Sequence, residues 1–173
     1  MNTLIQSNKA KARHFHSTKR FIDDLCAIND GDEFGKCYKD IYPEELELKV
    51  EHHGQHASFL SLDINIIDNQ FVYKPFDKRD AFPFLIVRMP HLESNIPKNI
   101  FYSALVGEVL RIARSTLKLE DFIPKAKDVI NRMKIQGAHP FTSKRHIRKI
   151  VVNHPSSFFQ FGKETEELLS LLL

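Results

Sequence analysis

Two adjacent aspartates, Asp23 and Asp24, are the residues of this sequence best suited to chemistry. They interrupt an apolar, strand-like run between residues 21 and 28, where a buried carboxylate without a partner would be costly. A β-hairpin whose tip is Asp23-Asp24 resolves this conflict, because it places both carboxylates in solvent. Two such carboxylates can bind a hard cation such as Mg²⁺, which prefers oxygen ligands. The alternative is an acidic turn without a ligand.

Positive charge is concentrated between residues 111 and 150. This stretch holds eleven Lys or Arg and three Asp or Glu, although the whole chain has a net charge of only +3. Basic helices of this kind are the electrostatic footprint of a polyanionic partner. The alternative is a solvated helical face that binds nothing.

The composition excludes several classes of protein. The 173 residues are 42% hydrophobic and 27% charged, which argues against disorder and fits one modest core or two small ones. No run of about 18 apolar residues predicts a membrane-spanning helix, and the basic N-terminal residues lack the apolar core of a signal peptide. Cys26 and Cys37 are too few for a disulfide framework. We expect an intracellular protein, nuclear or cytoplasmic, that is neither secreted nor in a membrane.

The first half of the chain is predicted to consist of antiparallel hairpins. A turn at residues 29–32 follows the acidic hairpin, and Asp32 is expected to cap a short helix that ends near Ile41. A half-buried strand is predicted where apolar residues alternate with charged ones, at Leu46, Leu48 and Val50. A second hairpin is predicted from residues 59–67 and 70–73, joined by a turn at Asp68-Asn69.

The second half is predicted to be helical. Four prolines between residues 75 and 97 forbid a regular helix there and mark a connection. The first helix starts near Pro97 and runs to about Leu117, with an apolar stripe of Ile100, Leu105, Val109 and Ile112. The second runs from about Leu119 to Gln136 and stops at Gly137, with an inner face of Phe122, Ala126, Val129, Ile130 and Met133. The third follows Thr142-Ser143 and buries Ile147, Ile150 and Val151. The predicted fold class is therefore α+β, with antiparallel hairpins followed by a three-helix bundle.

A series of motifs resembles the reverse transcriptase domain of animal retroelements, of the Penelope-like or a related non-LTR type. Residues 20–25, Arg-Phe-Ile-Asp-Asp-Leu, are similar to the Tyr/Phe-x-Asp-Asp signature of that family. Residues 58–64, Ser-Phe-Leu-Ser-Leu-Asp-Ile, are similar to its primer-grip region. Further similar segments follow in the family's order, at residues 41–49, 76–84, 86–97 and 110–114. The resemblance covers residues 15–160, and the order of its motifs makes it specific.

The resemblance implies RNA-directed DNA synthesis, a nucleotidyl transfer run by two Mg²⁺ or Mn²⁺ ions. Asp23 would ligate metal and Asp24 would support it, and the partners would be an RNA template, a DNA primer and deoxynucleotides. The family's third carboxylate and its fingers lie upstream, whereas only 22 residues precede Asp23 and none is acidic. We therefore expect a reverse transcriptase fragment that is inactive alone, with weak or absent metal binding. The alternative is a non-catalytic nucleic-acid-binding remnant.

The resemblance also divides the chain. Residues 1–74 correspond to the C-terminal part of the palm, 75–97 to a Pro-rich connection, 98–161 to a helical, thumb-like region and 162–173 to a C-terminal tail. In this interpretation basic side chains of the thumb contact the phosphate backbone of primer and template. The predicted contact residues are Arg111, Arg114, Lys118, Lys144, Arg145, Arg148 and Lys149.

Three smaller features have simpler interpretations. A polar turn is favoured over a zinc site for His52, His53 and His56, because no fourth ligand has suitable spacing. Packing in a core is favoured over base stacking for Phe158, Phe159 and Phe161. Cys26 is expected to be a small buried hydrophobic residue rather than a nucleophile.

Overall fold

The computed structural model describes residues 16–28, 31–84, 86 and 88–173. The described residues form five α-helices and antiparallel strands in two small sheets, which confirms the α+β class. The chain divides into two compact units, one ending at Leu60 and one running from Ser61 to Leu173. Within the described ranges, no helix is both long enough and apolar enough to cross a bilayer.

The first unit combines a hairpin with a short helix. Strands β1 (Thr18–Phe21) and β2 (Asp24–Ala27) pair antiparallel, helix α1 spans Glu33–Ile41, and strand β3 spans His56–Phe59. Phe34 and Cys37 of α1 are buried against Leu25 of β2, so a small core fixes the helix to the hairpin. The helix ends at Ile41, as predicted. Half of the predicted turn at 29–32, Asn29 and Asp30, lies outside the described residues.

The predicted strand around residue 48 is wrong. Residues 46–50 are irregular, and the side chains of Leu46, Leu48 and Val50 are exposed. Alternation indicates only that one side of an extended segment could be buried. A strand also needs a neighbour that satisfies its backbone groups and covers its apolar side.

The second unit begins with a hairpin of β4 (Leu62–Ile67) and β5 (Gln70–Pro75), in register from Leu62 opposite Pro75 to Ile67 opposite Gln70. Its turn residues Asp68 and Asn69 both have positive φ, at 50° and 61°, as a two-residue type I′ turn requires. This predicted turn is confirmed. The predicted strand 59–67 is not continuous, because Leu60 and Ser61 also have positive φ and form a turn within it.

After this hairpin, the regular elements of the second unit are all helical. A 3₁₀ turn at Lys78–Ala81 precedes α2 (Lys98–Arg114), α3 (Leu119–Ile135), α4 (Pro140–Asn153) and α5 (Thr165–Leu172). Helix α4 starts at Pro140, before the predicted Thr142-Ser143 boundary, because a proline is tolerated in the first turn, where the missing amide hydrogen costs nothing. The predicted tail contains α5, whose buried leucines pack into the core: Leu168, Leu169 and Leu172.

The buried faces of α3 and α4 agree with the predicted apolar stripes. Phe122 and Met133 of α3 and Ile147 of α4 are fully buried, and Ile150 and Val151 are almost so. In α2 the stripe is wrong at its start, since Ile100 is 54% exposed whereas Phe101 is buried. Periodicity tolerates a shift of one residue in the first turn, where the neighbouring helices decide which side chain enters the core.

A tight turn at Gly137 sends the chain from α3 into α4. Gly137 has φ 91°, its amide donates to the carbonyl of Lys134, and the amide of Ala138 donates to the carbonyl of Met133. This pair of hydrogen bonds is a Schellman motif, which favours glycine at that position. The predicted stop is therefore confirmed.

Helix α4 is held along the length of α2. The amide of His139 donates to the Tyr102 hydroxyl at 3.2 Å, and the Tyr102 ring stacks on His146 at 4.7 Å. Beyond the other end of α4, Arg114 donates to the Ser157 hydroxyl at 3.1 Å. The two helices therefore run in the same direction.

Candidate metal-binding hairpin and nucleic-acid interface

The acidic hairpin carries the two predicted catalytic residues. Phe21 pairs with Asp24 across the hairpin, so Ile22 and Asp23 form the turn and Asp24 is the first residue of β2. The predicted tip is thus correct to within one residue. Both aspartates are exposed, on adjacent residues of one hairpin end.

Arg20 braces this turn. Its guanidinium donates to the carbonyl of Ile22 at 2.8 Å and to the Tyr42 hydroxyl at 3.0 Å, and it lies 5.0 Å from the centroid of the Tyr42 ring. Ile22 has φ 55°, which is unfavourable for a β-branched residue. Arg20 therefore holds a strained turn, next to both aspartates, against Tyr42, the residue that follows α1. Sequence reasoning missed this role, because Tyr42 lies 22 residues away and only the fold brings it to Arg20.

Asp23 and Asp24 provide the oxygen donors that Mg²⁺ takes, and their exposure leaves room for water or phosphate oxygens as further ligands. No cluster of three or more His, Cys, Asp or Glu able to hold a metal occurs among the described residues. The two carboxylates would be the hairpin's own contribution to a metal centre.

The other small candidates lie in the same unit. His52 and His53 are in the irregular segment before β3, whose first residue is His56, and all three are exposed. Cys26 is half-buried in β2 rather than fully buried, and this burial raises the pKa of its thiol. A raised pKa disfavours the thiolate and therefore argues against a nucleophile.

Four of the seven predicted nucleic-acid contacts share one exposed face of α4. These are Lys144, Arg145, Arg148 and Lys149. The opposite face of the helix is buried, and residues 140–153 include no Asp or Glu. Lys144 and Arg148 are four residues apart, as are Arg145 and Lys149, so like charges neighbour each other along the helix. Like charges at this spacing are mildly destabilising.

Only one ion pair reaches this face in the described part of the chain. Arg148 lies 2.8 Å from Glu166 of α5, and both side chains are more than half exposed. Such a pair is screened by water and is worth little. Lys144, Arg145 and Lys149 have no acidic partner among the described residues. Most of the positive charge of the α4 face is therefore not offset by ion pairs with the described residues.

The other three predicted contacts are placed differently. Arg111 makes two hydrogen bonds to Glu108, at 3.0 and 2.8 Å, and this pairing lowers the pKa of the Glu108 carboxyl. Lys118 lies 3.5 Å from Glu120. Arg114 donates to the neutral hydroxyl of Ser157, so this contact does not offset its positive charge. The structure thus groups four of the seven residues on α4, whereas Arg111 and Lys118 have acidic neighbours.

An aromatic residue beside these cations was missed by the sequence analysis. Phe141, in the first turn of α4, is 71% exposed. It precedes Lys144 by three residues and Arg145 by four, so its ring neighbours both on the helix surface. Its position one turn before the basic cluster was the available signal. Of the three aromatics predicted to pack, Phe158 and Phe161 are buried against Phe122, as expected, whereas Phe159 is 87% exposed.

Comparison with known proteins does not identify the chain. No protein-family profile, curated protein or solved structure matches it. The family resemblance of the motif series therefore stays a prediction.

Proposed function

We propose that this chain binds the phosphate backbone of nucleic acid through the exposed face of α4. The observation that carries this proposal is the set of four cations on one helix that has no acid of its own: Lys144, Arg145, Arg148 and Lys149. Binding of a polyanion to neighbouring cations is favourable, because the phosphates offset the repulsion between the cations and counterions are released. Such binding is independent of sequence and falls steeply with salt.

The α4 face is also held rigidly. Ile147 and Ile150 anchor the helix in the bundle core, and His146 stacks on Tyr102 with its Nδ1 2.8 Å from the carbonyl of Thr142. A rigid helix loses little conformational freedom when a ligand binds, apart from that of the side chains themselves. This favours a binding surface over a merely solvated one.

A second proposal concerns the acidic hairpin. We propose that the chain is the palm and thumb part of a retroelement reverse transcriptase, in which Asp23 binds the catalytic metal and Asp24 supports it. Two observations support this: the carboxylates lie exposed at a hairpin end whose strained turn Arg20 holds, and the motif series follows the family's order. When bound, Mg²⁺ would stabilise the attacking hydroxyl and the leaving phosphate oxygen. The helices α2 to α4 would correspond to the thumb.

Fluorescence anisotropy with labelled oligonucleotides tests the binding proposal. For four phosphate contacts, the logarithm of the association constant should fall against the logarithm of salt concentration with a slope of about −3.6 on duplex DNA and about −2.8 on a single strand. The variant K144Q/R145Q/R148Q/K149Q should lose most of this slope and bind at least tenfold more weakly. A matched control is K127Q/K134Q, which removes two exposed lysines of α3 and should change binding little. Unchanged binding by the fourfold variant would contradict the proposal.

Metal binding and primer extension test the hairpin proposal. Mn²⁺ should broaden the backbone NMR signals of residues 23–25 in the wild type but not in Asp23→Asn. Asp68→Asn is the matched control, since Asp68 also lies in a hairpin turn, and it should behave as the wild type. Broadening that persists in Asp23→Asn, or primer extension with Mg²⁺ or Mn²⁺ that is detectable and equal in both proteins, would remove the catalytic assignment.

A further inference from the structure

The Phe141 ring distinguishes the α4 face from a purely electrostatic surface. This ring is 71% exposed at the start of the helix, whereas Phe101 and Phe122 of the neighbouring helices are buried. Helical spacing puts its Cβ roughly 5–6 Å from those of Lys144 and Arg145. A flat apolar group therefore stands beside two cations that have no acidic partner among the described residues.

We infer that the α4 face takes single-stranded nucleic acid, with one base stacked on Phe141 and the adjacent phosphates on Lys144 and Arg145. This inference rests on the proposed binding function and specifies its substrate class. In a duplex the faces of the bases are covered by their neighbours, so an exposed ring on the protein finds nothing to stack on. In a single strand every base presents a free face, and an aromatic side chain next to a basic groove is the usual means of binding it.

The arrangement fits a lipid surface less well. A membrane-binding helix buries a continuous apolar face in the bilayer, but the continuous apolar face of α4 is already buried in the bundle. Its exposed apolar residues, Phe141 and Val152, are eleven positions apart, about 16 Å along the helix. Arg145 and Arg148 lie on the stripe between them, so no apolar patch is available for lipid.

The test compares variants at Phe141 on several probes. The probes are oligothymidylate, oligouridylate, a DNA duplex of equal length, and vesicles of phosphatidylserine and phosphatidylcholine. The wild type should prefer the single strands. Phe141→Leu should weaken single-strand binding by about fivefold or more, the loss of one stacked base, and leave duplex binding unchanged. Phe159→Leu is the matched control, because Phe159 is 87% exposed but lies outside α4, and it should bind as the wild type.

Phe141→Trp adds a direct readout. The chain contains no tryptophan, so the new side chain is the only indole. Its fluorescence should be quenched by oligothymidylate or oligouridylate and not by the duplex, and single-strand affinity should be kept or increased, because indole also stacks on bases.

The outcomes separate the inference from the function on which it rests. Equal affinity for single strand and duplex, with no effect of Phe141→Leu, would overturn the inference and leave backbone binding by α4 intact. Equal losses from Phe141→Leu and Phe159→Leu, or binding to the vesicles instead of the single strands, would also overturn it. A wild type that binds none of the nucleic acids at low salt would contradict the proposed function itself.

Discussion

Helices α3 and α4 carry four basic residues each, yet their charges have different surroundings. In α3 these are Lys125, Lys127, Arg132 and Lys134, and the helix also contains Glu120, Asp121 and Asp128. Arg132 lies 2.7 Å from Asp128 and 3.6 Å from Asp80, and Lys125 also pairs with Asp80. In α4 no acid is present, and a single exposed pair to α5 reaches its cations within the described residues.

A count of basic residues therefore does not distinguish cations that form ion pairs within the fold from cations that remain exposed to solvent. On α3 half of the cations join the helix to the 3₁₀ turn at Lys78–Ala81, in which Asp80 lies. On α4 the cations face solvent and are available to a ligand. The four predictions below test this distinction, beginning with the largest expected effect.

Removal of the shared core should abolish the distinction altogether. Phe122 of α3 is fully buried and stacks on Phe161 at 4.8 Å. Phe122→Ala should lower the free energy of unfolding by about 3–5 kcal/mol, because it leaves a cavity among the helices. Urea denaturation followed by circular dichroism measures this loss. Phe159→Ala, at an exposed ring, should cost less than about 0.5 kcal/mol. Equal losses of stability in Phe122→Ala and Phe159→Ala would contradict the packing of Phe122 in a core shared by the helices.

Acid should weaken the turn that brings Asp80 to α3. Asp77 accepts hydrogen bonds from the guanidinium and, secondarily, from the backbone amide of Arg79, and these hold the pKa of its carboxyl well below the usual range. The stability this provides is present above about pH 4 and is lost as the pH falls toward the lowered pKa. Between pH 7 and pH 2 the wild type should lose roughly 1–2 kcal/mol more than Asp77→Asn.

The measurement for Asp77 is the free energy of unfolding by urea at each pH. Glu108, whose pKa is also lowered, remains in the variant and should keep part of the acid dependence. Parallel curves for both proteins would show that the Asp77–Arg79 pair adds no stability.

An acid added to α4 should make it resemble α3. Val152 is half exposed, four residues after Arg148 and three after Lys149. Val152→Glu should pair with these cations and weaken oligonucleotide binding by about five- to tenfold, because it removes roughly one phosphate contact. Anisotropy measures the change, and Val152→Gln is the neutral control. If both variants bind alike, the free charge of α4 does not determine affinity.

Removal of an acid from α3's surroundings should have the smallest effect. Asp80→Asn should cost about 0.5–1 kcal/mol of stability, because its ion pairs with Lys125 and Arg132 are partly exposed. Nucleic-acid affinity should rise by no more than about threefold, since Arg132 is mostly buried and cannot easily reach a phosphate. Thermal melting and anisotropy test the two parts. Glu166→Gln frees Arg148 on α4. If Asp80→Asn raised nucleic-acid affinity more than Glu166→Gln does, the cations of α3 would matter more for binding than those of α4.

Local patterns predicted the features that depend on local physics. The period of 3.6 residues predicted the buried faces of α3 and α4. The pair Asp68-Asn69 predicted a two-residue turn, because both residues tolerate positive φ. The same reasoning failed at residues 46–50, where apolar and charged residues alternate but the described segment is irregular and not part of a sheet. It also left out α5, a helix of eight residues that is too short to be stable without the core it packs on.

The candidate sites divide in the same way. The sequence by itself determined the acidic pair in a hairpin, the α+β class and the basic character of α4, because these follow from residue types within a few positions of each other. Only the tertiary structure decided that Arg20 contacts Tyr42 and that Asp80 pairs with two cations of α3, 45 and 52 residues away. It also decided that Phe141 stays in solvent. An ion pair or an exposed ring depends on which distant segments pack together, and that is a property of the folded core.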